Sequence, residues 1–464
     1  MIRRLGPALV LLCCLSALSC GRSGGGESIS VLGPWTGQEE QAFRAMFAGF
    51  EQATGIHVDY TGTRDARSVL GSEIHNGNPP DLAVLATPGE LRDYAAAGVL
   101  RPVDDALKAS DLRAQYGAGV GDLTVVPGPT GERHSYAVIV KAALKSIIWY
   151  APGKLPADAR IRLTAPGLTW KELTRVASGL GSSGGRPWCM GVEDTANSGW
   201  PGTDWIEDLL LHRSGPGVYD QWVAGTLPWT SAPVKQAWQA FGSVVAQAGD
   251  RGRILLTNFG RAGTRMFVTP PECFLDHQGS FITAFYGQAL GRGNASPGRE
   301  PDFDFIPFPS GDERNGSPAD GEDGDGQGDG QGDGQGDGGR SGAGQGRAEE
   351  VAADLLGMFR DTPAARRFLA HLTTRAAQEA WIRRPASGAI SLNRSVPVDA
   401  YPDALSRRIA GTLTAAGAVR FDASDSMPQT MAAAFDHAVL AYIADPGRLD
   451  ALLADLDQVR RAPH

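Results

Sequence analysis

An α/β fold is what the sequence predicts, and three observations point to it. From residue 28 onward, short apolar runs alternate with amphipathic helical patterns, as in a mainly parallel sheet with helical crossovers. The chain has 464 residues, 42% of them hydrophobic, enough for two sizeable lobes of ordinary domain size. Its net charge is −9 with no basic cluster, which argues against a nucleic-acid partner, because phosphate neutralisation needs concentrated Lys and Arg.

The first residues read as an export signal. Arg3 and Arg4 precede an apolar run, Leu5 to Leu18, too short to span a bilayer. It ends in Ala17-Leu18-Ser19-Cys20, which resembles a bacterial lipobox, so residues 1–20 are expected to be a signal peptide with Cys20 lipidated. The alternative is an ordinary cleaved signal with release. Residues 21–27 form a flexible linker, and the protein would be anchored to the outer face of the cell membrane by its lipid. Cys13 and Cys14 leave with the signal. Cys189 and Cys273 remain, a natural disulfide pair in an exported protein, with two free thiols as the alternative.

The elements follow in order. Ser28–Leu32 reads as a strand, and the turn-rich Gly33–Gly37 after it carries an exposed-looking Trp35. Phe43, Met46, Phe47 and Phe50 recur at helical spacing up to Gly55, which supplies a left-handed stop. Ile56–Tyr60 is a strand, a mostly helical stretch leads to Asn78-Pro79-Pro80, and Asp81–Ala86 is the next strand. Ligands of parallel sheets gather beyond the carboxyl ends of strands, so the loops after Leu32 and Ala86 are candidates. Thr169 and Glu172 form a capping box for the helix after them.

Pro187–Val245 holds six of the ten tryptophans. Trp205 and Trp238 fall on helical stripes with Leu209, Leu210 and Val234, and packing is their natural role. Trp200 differs: it lies between Gly199 and Pro201, close to Asp204, in a loop that opens a helix. A ring beside a carboxylate suits a polyhydroxylated ligand, the ring taking the C–H face and the carboxylate accepting hydroxyls.

The segments GPWTGQEEQAF, ATGIHVDY, NPPDLAVLATPGEL, VKAALKSIIWY, LTWKELTRVASGL, PWCMGVEDTANSGWPGTDWIEDLLL, ECFLDHQGSF and GAISLNRSV resemble, in this order, the extracellular solute-binding protein family 1 of ABC transporters. Within it the last three of these, PWCMGVEDTANSGWPGTDWIEDLLL, ECFLDHQGSF and GAISLNRSV, resemble the branch for alpha-glucosides and related oligosaccharides. The resemblance covers nearly the whole mature chain. It implies a type II two-lobed clamp, periplasmic-binding-protein-like, with hinge strands crossing between lobes and the ligand in the cleft between them. Val140–Tyr150 would be one crossing. Lobe one would take 28–138 and 275–310, and lobe two 140–272 and 348–464. The resemblance also implies a sugar or oligosaccharide ligand, ABC permease subunits as partners, a monomer, and no cofactor or metal.

Residues 311–347 depart from that pattern: Gly, Asp, Gln and Ser with a DGQG repeat, which cannot bury a core and reads as a disordered insertion between strand Phe303–Phe308 and a helix near Asp354–Phe359. Enzyme motifs are weak. Gly181–Gly185 matches G-x-S-x-G but follows a helix rather than a strand. The pairs Glu193-Asp194 and Glu207-Asp208 do not by themselves flank one bond, as a glycosidase needs. A glycan hydrolase and a sugar-sensing or adhesion protein remain the rival classes. The candidate ligand contacts are Trp35 and Trp200 as stacking rings, Asp81 and Asp204 as hydroxyl acceptors, Glu39, Arg64 and Asp65 on lobe one, and His277 and Gln278 near a second crossing. Asp422 and Asp425 are expected to cap local turns.

Overall fold

The computed structural model describes residues 27–116, 118–182, 184–291, 301–311, 347–384 and 388–462. The expected signal peptide, Cys20, nearly all of the linker and all but the ends of the DGQG insertion lie outside them. No helix among the described residues is long and apolar enough to cross a membrane.

Two sheets organise the chain. The six-stranded sheet runs Ala418–Phe421, Ala348–Met358, Leu82–Leu85, Ser28–Gly33, His57–Gly62, with Ala137–Leu144 paired along the other edge of Ala348–Met358. Ser28–Gly33 is parallel to both of its neighbours, as the strand–helix alternation requires. The helix Gln38–Thr54 between them buries Phe43, Met46, Phe47 and Phe50 and stops at Gly55 in the left-handed region. The four-stranded sheet runs Asp304–Pro307, Ile147–Tyr150, Cys273–His277, Arg186–Cys189. Two buried cores fill the molecule, and the first takes side chains from both sheets, among them Ile147, Trp149, Cys189, Cys273 and Phe305 of the second. Trp188, Trp205, Trp222, Trp229 and Trp238 all belong to the second core. Burying a large apolar side chain of this kind contributes about 1.5–3 kcal/mol.

The strand pairing revises the expected lobe boundaries. Ala137–Leu144 stays in the first sheet to its end, so the first crossing falls at Lys145 and Ser146 rather than at residue 139. Cys273–His277 and Asp304–Pro307, expected mostly in lobe one, pair with Ile147–Tyr150 in the second sheet. Ala348–Met358, expected in lobe two, is central to the first sheet. The helix expected near Asp354–Phe359 is the end of that strand, and a helix follows only at Pro363–Leu372. An apolar run records that both its faces are covered, but not by which sheet.

The capping box forms: Thr169 accepts from the Glu172 N–H, and the Glu172 carboxylate accepts from the Thr169 N–H. Around Gly181–Gly185 a helix leads in and the strand Arg186–Cys189 leads out, the reverse of a nucleophile elbow. Cys189 and Cys273 are joined by a disulfide with their Cα atoms 5.2 Å apart, linking two paired strands across 84 residues. Replacing both cysteines by serine is expected to lower the unfolding free energy by about 2–4 kcal/mol, read by denaturant titration of oxidised wild type against the variant.

Candidate functional site

Four polar segments lie near the junction of the two sheets, and their side chains converge. The first is Lys145-Ser146, between the strands Ala137–Leu144 and Ile147–Tyr150. The second follows His277, where Ser280 Oγ accepts from the Leu144 N–H at 3.1 Å. The third enters Ala348–Met358 at Glu349 and Glu350. Here the Lys145 N–H donates to the Glu350 carbonyl at 2.8 Å, and the Glu350 N–H to Ser146 Oγ at 2.8 Å. The fourth lies between Phe421 and Ala423, at Asp422. The helix Trp200–Ser214 adds Asp204, Glu207 and Asp208, all buried.

Lys145 supplies the cation of this cluster. Its ammonium lies 2.7 Å from Asp204 and 3.0 Å from Asp422. Burial alone would strip its proton, but Asp204 and Asp422 hold its pKa well above the ordinary lysine value. Burial and the neighbouring Asp422 push Asp204 up to about 8, against the pull of Lys145. Asp422 goes the other way. Burial would raise it, but Lys145 and the Asp425 N–H outweigh burial and hold it below the usual carboxylate range. Glu207, pushed up by burial and by Asp422, accepts the N–H groups of Ala423 and Ser424 at 2.6 and 3.3 Å. Asp204, Glu207 and Asp422 are close enough to ligate one ion, and the lysine ammonium already bridges two of them.

The cluster reaches the surface through Trp200. Its ring is half-buried, and its indole N–H donates to Asp194 at 2.9 Å. Phe259 and Phe281 meet it edge-on at 4.9 and 5.8 Å, and the Lys145 ammonium sits 4.9 Å from the ring centroid. Gly199 makes this turn possible. It has φ 120°, and a Cβ there would lie 2.7 Å from the Asp436 carbonyl. Phe259 and Phe281 pack on the first core, while the helix that Trp200 opens is buried in the second. Trp200 therefore stands beside the first crossing, with Lys145 at its face.

A second group lies on the first lobe. Glu39 is 2.7 Å from Arg64 and 3.2 Å from Lys141. Lys141 precedes Lys145 by four residues, roughly 13 Å along an extended chain. Burial would raise Glu39, but Lys141 and Arg64 outweigh it and lower its pKa. Asp65 is exposed and precedes the helix Ala66–His75 without capping it.

Several expected contacts are engaged inside the protein. Trp35 is 2% exposed, 4.7 Å from both Phe43 and Trp381, with its backbone N–H and carbonyl bonded to the Tyr60 hydroxyl. The turn folds its ring inward because the aromatic core offers more apolar contact than solvent does. Asp81 is buried, accepts from the Ser30 N–H and hydroxyl, and pairs with Arg360 at 3.1 Å. Asp204 serves Lys145 rather than an open surface, being 2% exposed. His277 is bonded to Asp208 at 2.7 Å and lies 4.4 Å from the Trp205 ring. Gln278 is buried and its backbone carbonyl accepts from the Trp149 indole. Asp422 does cap its turn, accepting from the Asp425 N–H at 3.0 Å, and also binds Lys145. The residues missed were Lys141 and Lys145. Their signal was present: two lysines inside the apolar run Ala137–Tyr150, where a buried lysine implies a carboxylate partner.

Comparison with known proteins identifies the family and the fold. Residues 35–379 match the family described as bacterial extracellular solute-binding protein. The chain is 31% identical over 406 residues to the osmoprotective compounds-binding protein GgtB of Synechocystis sp., covering 87% of this chain and 85% of that one. It is 31% identical over 409 residues to the alpha-glucosides-binding periplasmic protein AglE of Rhizobium meliloti, covering 87% and 80%. Among solved structures, the bacterial solute receptor AcbH superposes with a TM-score of 0.71 at 16% identity, over 94% of this chain and 98% of that one. The type II two-lobed fold is shared.

Two outcomes are expected from the buried cluster. Lys145→Met should cost about 3–5 kcal/mol by leaving the buried Asp422 carboxylate unpaired, and adding Asp422→Asn should restore part of it, measured by denaturant unfolding. The raised carboxylates set the pH dependence. Burial lifts Asp204 to about 8, Asp276 to about 7 and Asp354 to about 6. Unfolded, each titrates near about 4. Between those values the folded state holds protons the unfolded chain has lost, so this stability is full at about pH 4 and falls as pH rises towards about 8. The depressed Asp208 and Asp422 act in the opposite sense, but only in more acid solution. Melting temperature against pH should therefore decline across this window, and Asp204→Asn should flatten the decline.

Proposed function

The chain belongs to the bacterial extracellular solute-binding protein family, and from that premise we propose that it is the sugar receptor of an ABC importer. It captures an uncharged, polyhydroxylated solute of the alpha-glucoside type between its lobes and passes it, unaltered, to permease subunits. Trp200 carries this reading. It is the one tryptophan of Pro187–Val245 that is not buried, and its indole N–H is tied to Asp194 beside the Lys145 crossing. A ring held in this way offers a face to the C–H side of a sugar at little cost in side-chain entropy. The surrounding charges favour a neutral guest. Glu39 is paired with Arg64 and Lys141, and Lys145 with Asp204 and Asp422, so these charges are already matched within the protein. Glu39, Arg64 and Asp65 are the polar contacts proposed on the first lobe.

The names of the two relatives, one for alpha-glucosides and one for osmoprotective compounds, both suit such a guest. Receptor rather than hydrolase is favoured because the carboxylates nearest Trp200 are held in internal bonds. Closure is driven only to the extent that the ligand binds the closed form better than the open one. A receptor of this kind acts outside the cytoplasm, and we assign Cys20 as its lipid attachment.

A thermal-shift screen of mono- and disaccharides, including alpha-glucosides, tests this. A ligand at a hundred times its Kd adds about 2.7 kcal/mol to the folded form, and the melting temperature should rise by a few degrees. Trp200→Ala should remove that rise while leaving the unliganded melting temperature nearly unchanged. Cleavage of the sugar, or no stabilisation by any saccharide, overturns the proposal.

A further inference from the structure

A cavity of about 640 Å³ opens beside the disulfide, and its wall is rich in arginine. Arg186, Arg253, Arg261 and Arg265 all line it. They come from four different elements: the strand Arg186–Cys189, the helices Arg251–Leu256 and Phe259–Ala262, and the turn Gly263–Met266. In a chain of net charge −9 this convergence does not reflect general basicity. Only two carboxylates share the wall, Glu193 and Glu272. Glu193 is committed to the Thr195 N–H at 2.8 Å and to the Asn258 amide at 3.0 Å. Glu272 alone serves two guanidinium groups, 3.3 Å from Arg186 and 3.5 Å from Arg265.

The arginines are also close to one another. A Cβ on Gly249 would lie 3.0 Å from the Arg186 side chain and 3.8 Å from that of Arg253. Arg186 Nε is buried without a partner. Arg253 turns one guanidinium nitrogen to the Ala248 carbonyl at 3.1 Å. Burial and the nearby Arg186 both lower its pKa, the mark of an excess of positive charge. Guanidinium groups present rigid forks of donors that match the oxygens of phosphate-type groups, and a concave wall lets several of them act on one anion.

We propose that this cavity is an oxyanion site that holds a phosphate-type group among Arg186, Arg253, Arg261 and Arg265, separate from the solute site. Glu272 is the internal competitor that the anion displaces. Two sources share this chemistry, a free phosphate and the headgroup of an anionic phospholipid. Leu256, 83% exposed on the cavity wall, gives the second source an apolar contact.

The full chain should be titrated calorimetrically with inorganic phosphate and pyrophosphate at low ionic strength. In a parallel arm it is sedimented with phosphatidylcholine vesicles, with and without phosphatidylglycerol. Heat with the free anions assigns a soluble ligand, and binding only to phosphatidylglycerol vesicles assigns a headgroup; either supports the site. Arg261→Ala, a change at an exposed side chain, should weaken binding by about tenfold, the worth of one charge-assisted pair. Glu272→Gln should tighten it. Any saccharide-induced melting shift should be the same in both variants as in wild type. Absence of binding in both arms overturns the proposal, as does an affinity unchanged by Arg261→Ala.

Discussion

One ammonium holds the crossing region together. Lys145 sits where the chain first passes from one sheet to the other, and the groups around it come from the other polar segments and from the helix behind Trp200. A buried charge is tolerated only when paired and hydrogen-bonded, so the geometry of every segment that supplies a partner is tied to this point. Glu350 and Ser146 lie 204 residues apart and are joined here by a backbone-to-hydroxyl bond. The hinge of a two-lobed protein must bend without losing its register. A polar cluster with fixed bonding directions specifies that register more sharply than an apolar seam would.

The same lysine links the scaffold to the surface. Its ammonium lies against the Trp200 ring while its charge is bound by carboxylates behind it. The ring is therefore fixed from two sides, by Asp194 at its N–H and by Lys145 at its face. The acidic cluster itself is mostly kept neutral. Burial raises Asp204, Glu207 and Glu350, leaving Asp422 as the carboxylate best suited to ionise beside the lysine. A single buried ion pair with protonated neighbours costs far less desolvation than four ionised carboxylates around one cation.

The second lobe carries a further layer of definition. Its core is crowded with indoles that meet edge to face, such as Trp188 on Trp205 at 5.0 Å and Trp222 on Trp229 at 4.8 Å. The disulfide ties its two parallel strands together. Such packing makes a rigid platform, and the half-buried Trp200 projects from its edge.

The sequence by itself determined the elements and the local chemistry that closes them. Phe43, Met46, Phe47 and Phe50 announced a helix, Thr169 and Glu172 announced the start of another, and two remaining cysteines announced a bridge. The crossing at Val140–Tyr150 was legible as well. These signals are local: periodicity, capping and cysteine count need no knowledge of the partner. Tertiary structure alone decided which sheet each apolar strand joined, so Asp304–Pro307 and Ala348–Met358 exchanged lobes relative to expectation. It also decided which polar residues were spent internally. Trp35, Asp81, Asp204 and His277 look like ligand contacts in one dimension because ring, carboxylate and imidazole are recognition chemistry. Each is instead engaged by a partner at least 51 residues away, brought there by folding. Hydrogen-bond demand is written in the residue type, but the address of the group that meets it is a property of the whole fold.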